Sequence, residues 1–190
     1  MEFKDDCLIY RLNFIKDPRE MYGLLKSQVN WRQDNITLFG KTHAIPRYHA
    51  WYGDPGAFYK YSRITIPIND WHPVIKEIKT EVEKVTKLKF NSVLLNYYRD
   101  GLDSNGWHSD NESELIKPIH VASVSLGAIR DMQFRRVGLT KVERSLSLES
   151  GSLLVMKSPL QEYWQHQIPK RKKVNEGRIN LTFRLVSISS

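Results

Sequence analysis

The chain has 190 residues, 41% hydrophobic and 26% charged, with a formal net charge of +8. That length suits one domain with a real core, and no run approaches the ~18 consecutive apolar residues of a membrane-spanning helix. Cys7 is the only cysteine, which excludes a disulfide framework and a thiolate metal cluster, while the positive charge suits nucleic acid or simply a lysine-solvated surface.

The first six residues, Met1-Glu2-Phe3-Lys4-Asp5-Asp6, lack the basic and apolar regions of a secretory signal. An intracellular setting is therefore expected, nuclear in a eukaryote and cytoplasmic in a bacterium. Asp17-Pro18-Arg19-Glu20 offers an N-cap, a proline at the first helical position and an acid at the third. Met21, Leu24, Leu25 and Val29 follow at helical spacing. A second helix is predicted from Pro73, with Val74, Ile75, Ile78, Val82 and Val85 on one stripe.

Beyond residue 90 the pattern changes to strands. Val93–Tyr98, His120–Leu126, Met132–Arg135, Ser152–Met156 and Arg178–Val186 are short, rich in β-formers and bounded by turns. Helices followed by a run of strands predict an α+β fold, with helices supporting one face of a β-sandwich or jelly roll. In the last strand Arg178, Asn180, Thr182 and Arg184 alternate with Ile179, Leu181, Phe183 and Leu185. Two readings fit that alternation. The polar face can meet solvent, or it can line the inside of a small barrel together with Asn96 and Tyr98, while the apolar face packs on the helices.

His108 and Asp110, one residue apart, project to the same side of an extended segment. His166 is the candidate third ligand, and the set forms the two-histidine, one-carboxylate triad that leaves coordination positions open on Fe(II). Zinc accepts the same donors, so the triad alone does not select the metal. Arg178 and Arg184 are permanent cations suited to carboxylates, about 20 Å apart along an extended strand at ~3.3 Å per residue. They cannot grip one carboxylate together, but they can approach opposite ends of a diacid.

These motifs in this order resemble the AlkB family of Fe(II)/2-oxoglutarate dioxygenases. The segments "FGKTHAIPRYHAWYGD", "YKYSRI", "LNYY", "WHSDNE", "GSLLVM", "WQHQIPKRKKV" and "RINLTFR" carry the resemblance from about Leu38 to Val186. It implies a single dioxygenase domain over 1–190. Helices and a nucleotide-recognition lid occupy about 1–90, and a double-stranded β-helix (jelly-roll) catalytic core about 91–190. It further implies Fe(II), with 2-oxoglutarate and O2 as co-substrates, in a monomer that demethylates 1-methyladenine and 3-methylcytosine in DNA. Formaldehyde, succinate and CO2 would be released. The same chemistry on RNA, or a silent nucleic-acid-binding module, are the alternatives.

By this resemblance His108, Asp110 and His166 hold iron. Arg178 and Arg184 meet the two ends of 2-oxoglutarate, helped by Asn96, Tyr98 and Thr182, with Asn180 at a motif position. Tyr61 stacks on a flipped base opposite His108, and Tyr59 and Glu112 read its edge, with Asn111 beside them. Phe39, Gly40 and Lys41 form a hairpin that probes the duplex, Phe39 acting as a wedge. Arg171, Lys172 and Lys173 contact phosphates, and Lys41 and Arg47 extend that surface.

Overall fold

Both apolar stripes become helices: α1 spans Pro18–Gln28 and α2 spans Pro73–Thr86. Each begins on proline, whose missing N–H costs nothing in the first turn. Asp17 stands at the N-cap of α1 but makes no side-chain cap hydrogen bond; only its carbonyl is used, by Met21 N–H at 3.0 Å. The computed structural model describes residues 7–38, 40–57, 60–61, 64–65 and 68–188.

In chain order the strands are β1 (Leu8–Arg11), β2 (Asn35–Leu38), β3 (Lys41–Ala44), β4 (Tyr48–Gly53), β5 (Lys60–Tyr61), β6 (Ile64–Thr65), β7 (Ile68–Asn69) and β8 (Ser92–Tyr98). There follow β9 (Asn105–His108), β10 (Val121–Gly127), β11 (Arg130–Arg136), β12 (Arg144–Leu148), β13 (Ser152–Met156), a short α3 (Leu160–Tyr163), β14 (Trp164–Ile168) and β15 (Arg178–Arg184). A seven-stranded sheet runs β1-β13-β10-β15-β8-β4-β7, and a four-stranded sheet runs β12-β11-β14-β9. Two small hairpins, β2-β3 and β5-β6, stand apart from both sheets. The large sheet thus takes β1, β4 and β7 from before residue 91, where the sequence placed only helices and a lid.

Period-two alternation divides the core. Ile179, Leu181 and Phe183 of β15, with Val93 and Leu95 of β8 and Val124 and Leu126 of β10, pack on Leu25 of α1 and on Ile75, Ile78 and Val82 of α2. Fully burying each such side chain stabilises by about 1.5–3 kcal/mol. Val85, at the end of the α2 stripe, is exposed. The opposite face carries Leu94, Tyr98, Val121, Leu154 and Met156, which meet Met132, Phe134, Trp164 and Ile168 of the smaller sheet.

This arrangement decides the reading of the last strand. β15 lies between β10 and β8, and all seven of its residues are buried. Its polar side faces the second sheet rather than solvent. In register, Arg178 is opposite Tyr98, Asn180 opposite Asn96 and Arg184 opposite Ser92. A slip of one residue would put Ile179, Leu181 and Phe183 between the sheets and the two arginines against the helices. The architecture is the α+β jelly roll, with helices backing one face. Among the described residues no helix is long and apolar enough to cross a membrane.

Candidate active site

Strand pairing in the smaller sheet sets His108 of β9 directly opposite His166 of β14. Their rings lie 4.2 Å apart, centroid to centroid. Asp110 follows β9 at the start of a loop and is buried. One ligand atom from each of His108, Asp110 and His166 falls within 4.8 Å of the others.

Local bonds orient two of the three candidate ligands, His108 and Asp110, while His166 Nδ1 is buried and has no hydrogen-bond partner among the described residues. The Nδ1–H of His108 donates to the Gly106 carbonyl at 2.8 Å, which leaves Nε2 as the nitrogen with the lone pair. Asn105 Nδ2 donates toward that Nε2 at 3.3 Å. Asp110 is fixed twice: its backbone N–H donates to Gln161 Oε1 at 2.9 Å, and Arg184 Nη2 donates to its Oδ1 at 2.5 Å. Its Oδ2, buried and without a hydrogen-bond donor among the described residues, lies 3.7 Å from His166 Nε2.

The electrostatics suit a cation. Burial alone would raise the Asp110 carboxyl, but the Arg184 guanidinium, then His166 and His108, overcome it and hold the group well below the ordinary carboxylate range. Burial, reinforced by His108 and opposed by Asp110, pushes His166 down to about 3, so its imidazole is neutral and can donate a lone pair. The neutral imidazole of His166, the imidazole of His108, an ionised carboxylate and an orphaned buried oxygen fit a divalent ion such as Fe(II).

A narrow cavity of roughly 30 Å3 opens beside the triad. Asn96, Tyr98, Asn180, Thr182 and Arg184 line it, as the sequence expected, and Leu94, Met132, Met156 and Ile168 give it apolar walls. Asn180 is already committed: its amide donates to Ser123 Oγ at 2.7 Å and to the Val124 carbonyl at 3.1 Å, and its carbonyl accepts from Thr182 at 2.9 Å. It therefore holds β15 to β10 as much as it faces the cavity.

Arg178 is not among the residues that line this cavity; it lies against Tyr98, which is. Its Nη2 donates to Ser125 Oγ at 2.9 Å, and its guanidinium carbon sits 5.3 Å from the Tyr98 ring centre. Nε and Nη1 are buried and meet no acceptor among the described residues. Burial pushes the guanidinium down to about 10, with Tyr98 opposing the shift. A buried cation with two vacant donors is built for a carboxylate.

Three positioning residues escaped the sequence reading. Arg47, expected on the phosphate-binding surface, is buried instead; its Nε donates to Asn96 Oδ1 at 2.7 Å and its Nη1 to the Ser104 carbonyl at 3.1 Å. Arg130 is fully buried, donates to the carbonyls of Asp100, Asp103 and Pro169, and covers the Tyr98 ring with its guanidinium carbon at 5.7 Å. Gln161 anchors Asp110. No local pattern marks these residues, because their partners are remote in sequence.

The expected substrate contacts are not among the described residues that line this cavity. Asn111 is exposed and Glu112 half-buried. Gly40 takes the left-handed conformation (φ 76°) in the turn of the β2-β3 hairpin, which a side chain would strain, and Lys41 is exposed beside it. Tyr61 lies on β5, paired with Ile64. Phe39 and Tyr59 lie outside the described residues. Lys172 and Lys173 are exposed, but Arg171 is tied to Asp131, with Nη2 and Nε at 2.8 and 3.0 Å from its carboxylate.

Comparison with known proteins agrees with this geometry. The family model of the 2OG-Fe(II) oxygenase superfamily matches residues 16–184. The chain is 42% identical over 165 residues to the DNA oxidative demethylase ALKBH2 of Homo sapiens, covering 81% of this chain and 62% of that protein. It is 39% identical over 189 residues to the alpha-ketoglutarate-dependent dioxygenase alkB homolog 3 of Bos taurus, covering 95% and 65%. It therefore spans less than two thirds of the length of these curated relatives. The solved structure of OsALKBH1 superposes with a TM-score of 0.64 at 18% identity, over 94% of this chain and 97% of that one, a likeness of fold. The chain belongs to the 2OG-Fe(II) oxygenase superfamily and, within it, to the AlkB family.

Proposed function

We propose that the chain is an Fe(II)- and 2-oxoglutarate-dependent demethylase that acts on 1-methyladenine and 3-methylcytosine in DNA. The observation that carries this reading is the convergence of His108, Asp110, His166 and Arg184 on one partly apolar cavity, with the vacant donors of Arg178 beside its Tyr98. The name of the human relative, a DNA oxidative demethylase, supports DNA as the substrate.

His108, Asp110 and His166 would hold the metal. When bound, iron together with 2-oxoglutarate and O2 supplies the oxidation of an N-methyl group, with succinate and CO2 as co-products. Arg184 keeps Asp110 ionised and oriented, and offers its charge to the near carboxylate of 2-oxoglutarate. Arg178, backed by Tyr98, receives the far carboxylate. Leu94, Met132, Met156 and Ile168 keep bulk water from the reacting methyl group. The hydroxymethylated base then sheds formaldehyde and regains its normal edge.

The base must leave its stack to reach this depth. Tyr61 and His108 would sandwich it, Tyr59, Asn111 and Glu112 would read its polar edge, and the Phe39-Gly40-Lys41 hairpin would fill the gap. Lys172 and Lys173 supply phosphate contacts without sequence preference. The test is incubation of the protein, Fe(II) and 2-oxoglutarate with methylated single-stranded DNA, duplex DNA and RNA, read by mass spectrometry. Loss of one methylene from DNA is expected. Loss from RNA alone would replace the substrate, and no loss from any strand would overturn the reading.

A further inference from the structure

A far larger cavity lies away from the triad, on the helix side of the seven-stranded sheet. Arg19, Tyr22 and Lys26 of α1 form one wall, Tyr97 and Arg99 at the end of β8 the other, and Glu176 lies on the rim, around roughly 760 Å3. Tyr97 is the centre of an aromatic cluster. Its ring stacks on Tyr48 at 6.3 Å, tilts against Trp31 at 5.4 Å and meets Tyr22 edge-on at 6.5 Å. Cations cover these faces: Lys26 Nζ is 5.9 Å from the centres of both Tyr22 and Tyr97, and the Arg99 guanidinium is 5.1 Å from that of Tyr48.

The backbone is shaped to admit this cluster. A Cβ at Gly177 would stand 2.3 Å from the Tyr22 hydroxyl, so only glycine lets Tyr22 lie against the start of β15. The rim is also continuous with the basic loop beside His166. Gly101 N–H donates to the Val174 carbonyl and Arg171 N–H to the Gly101 carbonyl, each at 2.7 Å, which ties the loop of Lys172 and Lys173 to the strand end that carries Arg99. Arg99 itself is paired with Asp103 at 2.7 Å, so Arg19 and Lys26 supply most of the available charge.

We propose that this crevice binds the flank of a single nucleic-acid strand, with phosphates on Arg19 and Lys26 and a base against the tyrosine cluster. The inference rests on the reading that the substrate is nucleic acid. Cations interleaved with aromatic faces are the usual means of holding unpaired strands, because every base has a π-face and every nucleotide a phosphate. The carboxylate of Glu176 works against that occupant, and its removal should favour binding.

The test uses the full chain with single-stranded DNAs of about 4 and about 16 nucleotides, followed by fluorescence anisotropy across a salt series. Two phosphate contacts are worth a slope of about 1.4 in log K against log salt, so the Arg19→Gln/Lys26→Gln double variant should lose that slope. It should bind the long strand about 25-fold more weakly at 0.1 M salt, the fold-change that slope implies. Binding of the short strand should stay unchanged, and Glu176→Gln should tighten the long one. A parental slope and affinity in the double variant would overturn the proposal, as would displacement of the strand by polyglutamate at equal charge concentration. Methyl removal from the short strand, measured in parallel, reports on the functional reading separately. If it persists while long-strand binding is unaltered, the crevice assignment fails alone. If no methyl is removed anywhere but the slope falls, the crevice assignment stands and the catalytic reading fails.

Discussion

Replacing Arg178 by methionine should stabilise the ligand-free protein while destroying its response to 2-oxoglutarate. Burial pushes this guanidinium from its ordinary value down to about 10. At 1.36 kcal/mol per tenfold change in proton affinity, keeping it charged at neutral pH costs the fold about 3 kcal/mol. Methionine removes that cost and fills a similar volume, but forfeits the 2.9 Å hydrogen bond to Ser125, worth about 1 kcal/mol. The net expectation is a gain of about 2 kcal/mol, within the range seen when buried charges give way to apolar side chains. The same change removes both vacant donors facing a carboxylate, so binding of 2-oxoglutarate should weaken by at least ~100-fold. Urea denaturation with Mn(II) in place of iron, with and without 2-oxoglutarate, measures both effects. The parent should gain stability with ligand and the variant should not. A variant that loses more than about 1 kcal/mol without ligand would show that Arg178 is a structural clamp, and the reasoning from its vacant donors would fall.

Alanine at His108, Asp110 or His166 should abolish methyl removal and leave DNA binding mostly intact, which anisotropy and mass spectrometry together can check. Of the three, Asp110→Ala should also cost about 3–5 kcal/mol in urea melts, because it leaves Arg184 buried without its carboxylate. Gln161→Ala should weaken iron binding about 10-fold in a chelator competition, since Asp110 N–H loses its acceptor. Gly101→Ala should lower the melting temperature and the affinity for DNA together, because a Cβ there would stand 1.8 Å from the Arg171 carbonyl. In the metal-free protein, burial holds His49, His120 and His166 below the ordinary 6.5. The unfolded chain then takes up these protons first, so stability should be full above about pH 6.5 and fall as pH drops below it; thermal melts at pH 7.5 and 5.5 measure the difference.

Period and motif carried the sequence reading a long way. The two helical stripes and most of the strands after residue 90 follow from spacing, and the three candidate ligands from spacing together with the family resemblance. Direction did not. The alternation in β15 specifies two faces but not which one is inside, and only its position between β8 and β10 turns the arginines inward. Arg47 shows the same limit. Next to a lysine-bearing hairpin it suggests a surface cation, yet the chain folds it under β4 onto Asn96. Gln161 and Arg130 act through backbone atoms dozens of residues away, a relation that composition cannot encode. The contribution of β1, β4 and β7 to the large sheet was hidden for a related reason. β1 and β7 are short, and the partner of β1 lies far along the chain.

Arg130 gathers carbonyls from Asp100, Asp103 and Pro169, and so fastens the loop after β8 to the loop after β14. A basic loop fastened in this way has already surrendered its conformational freedom before any phosphate arrives. Little of the energy of contact is then diverted into ordering the chain. The exposed lysines on that loop become interchangeable fittings on a rigid mount. Evolution or an engineer can exchange Lys172 and Lys173 to retune the grip on a substrate while the geometry around His108, Asp110 and His166 stays as it is.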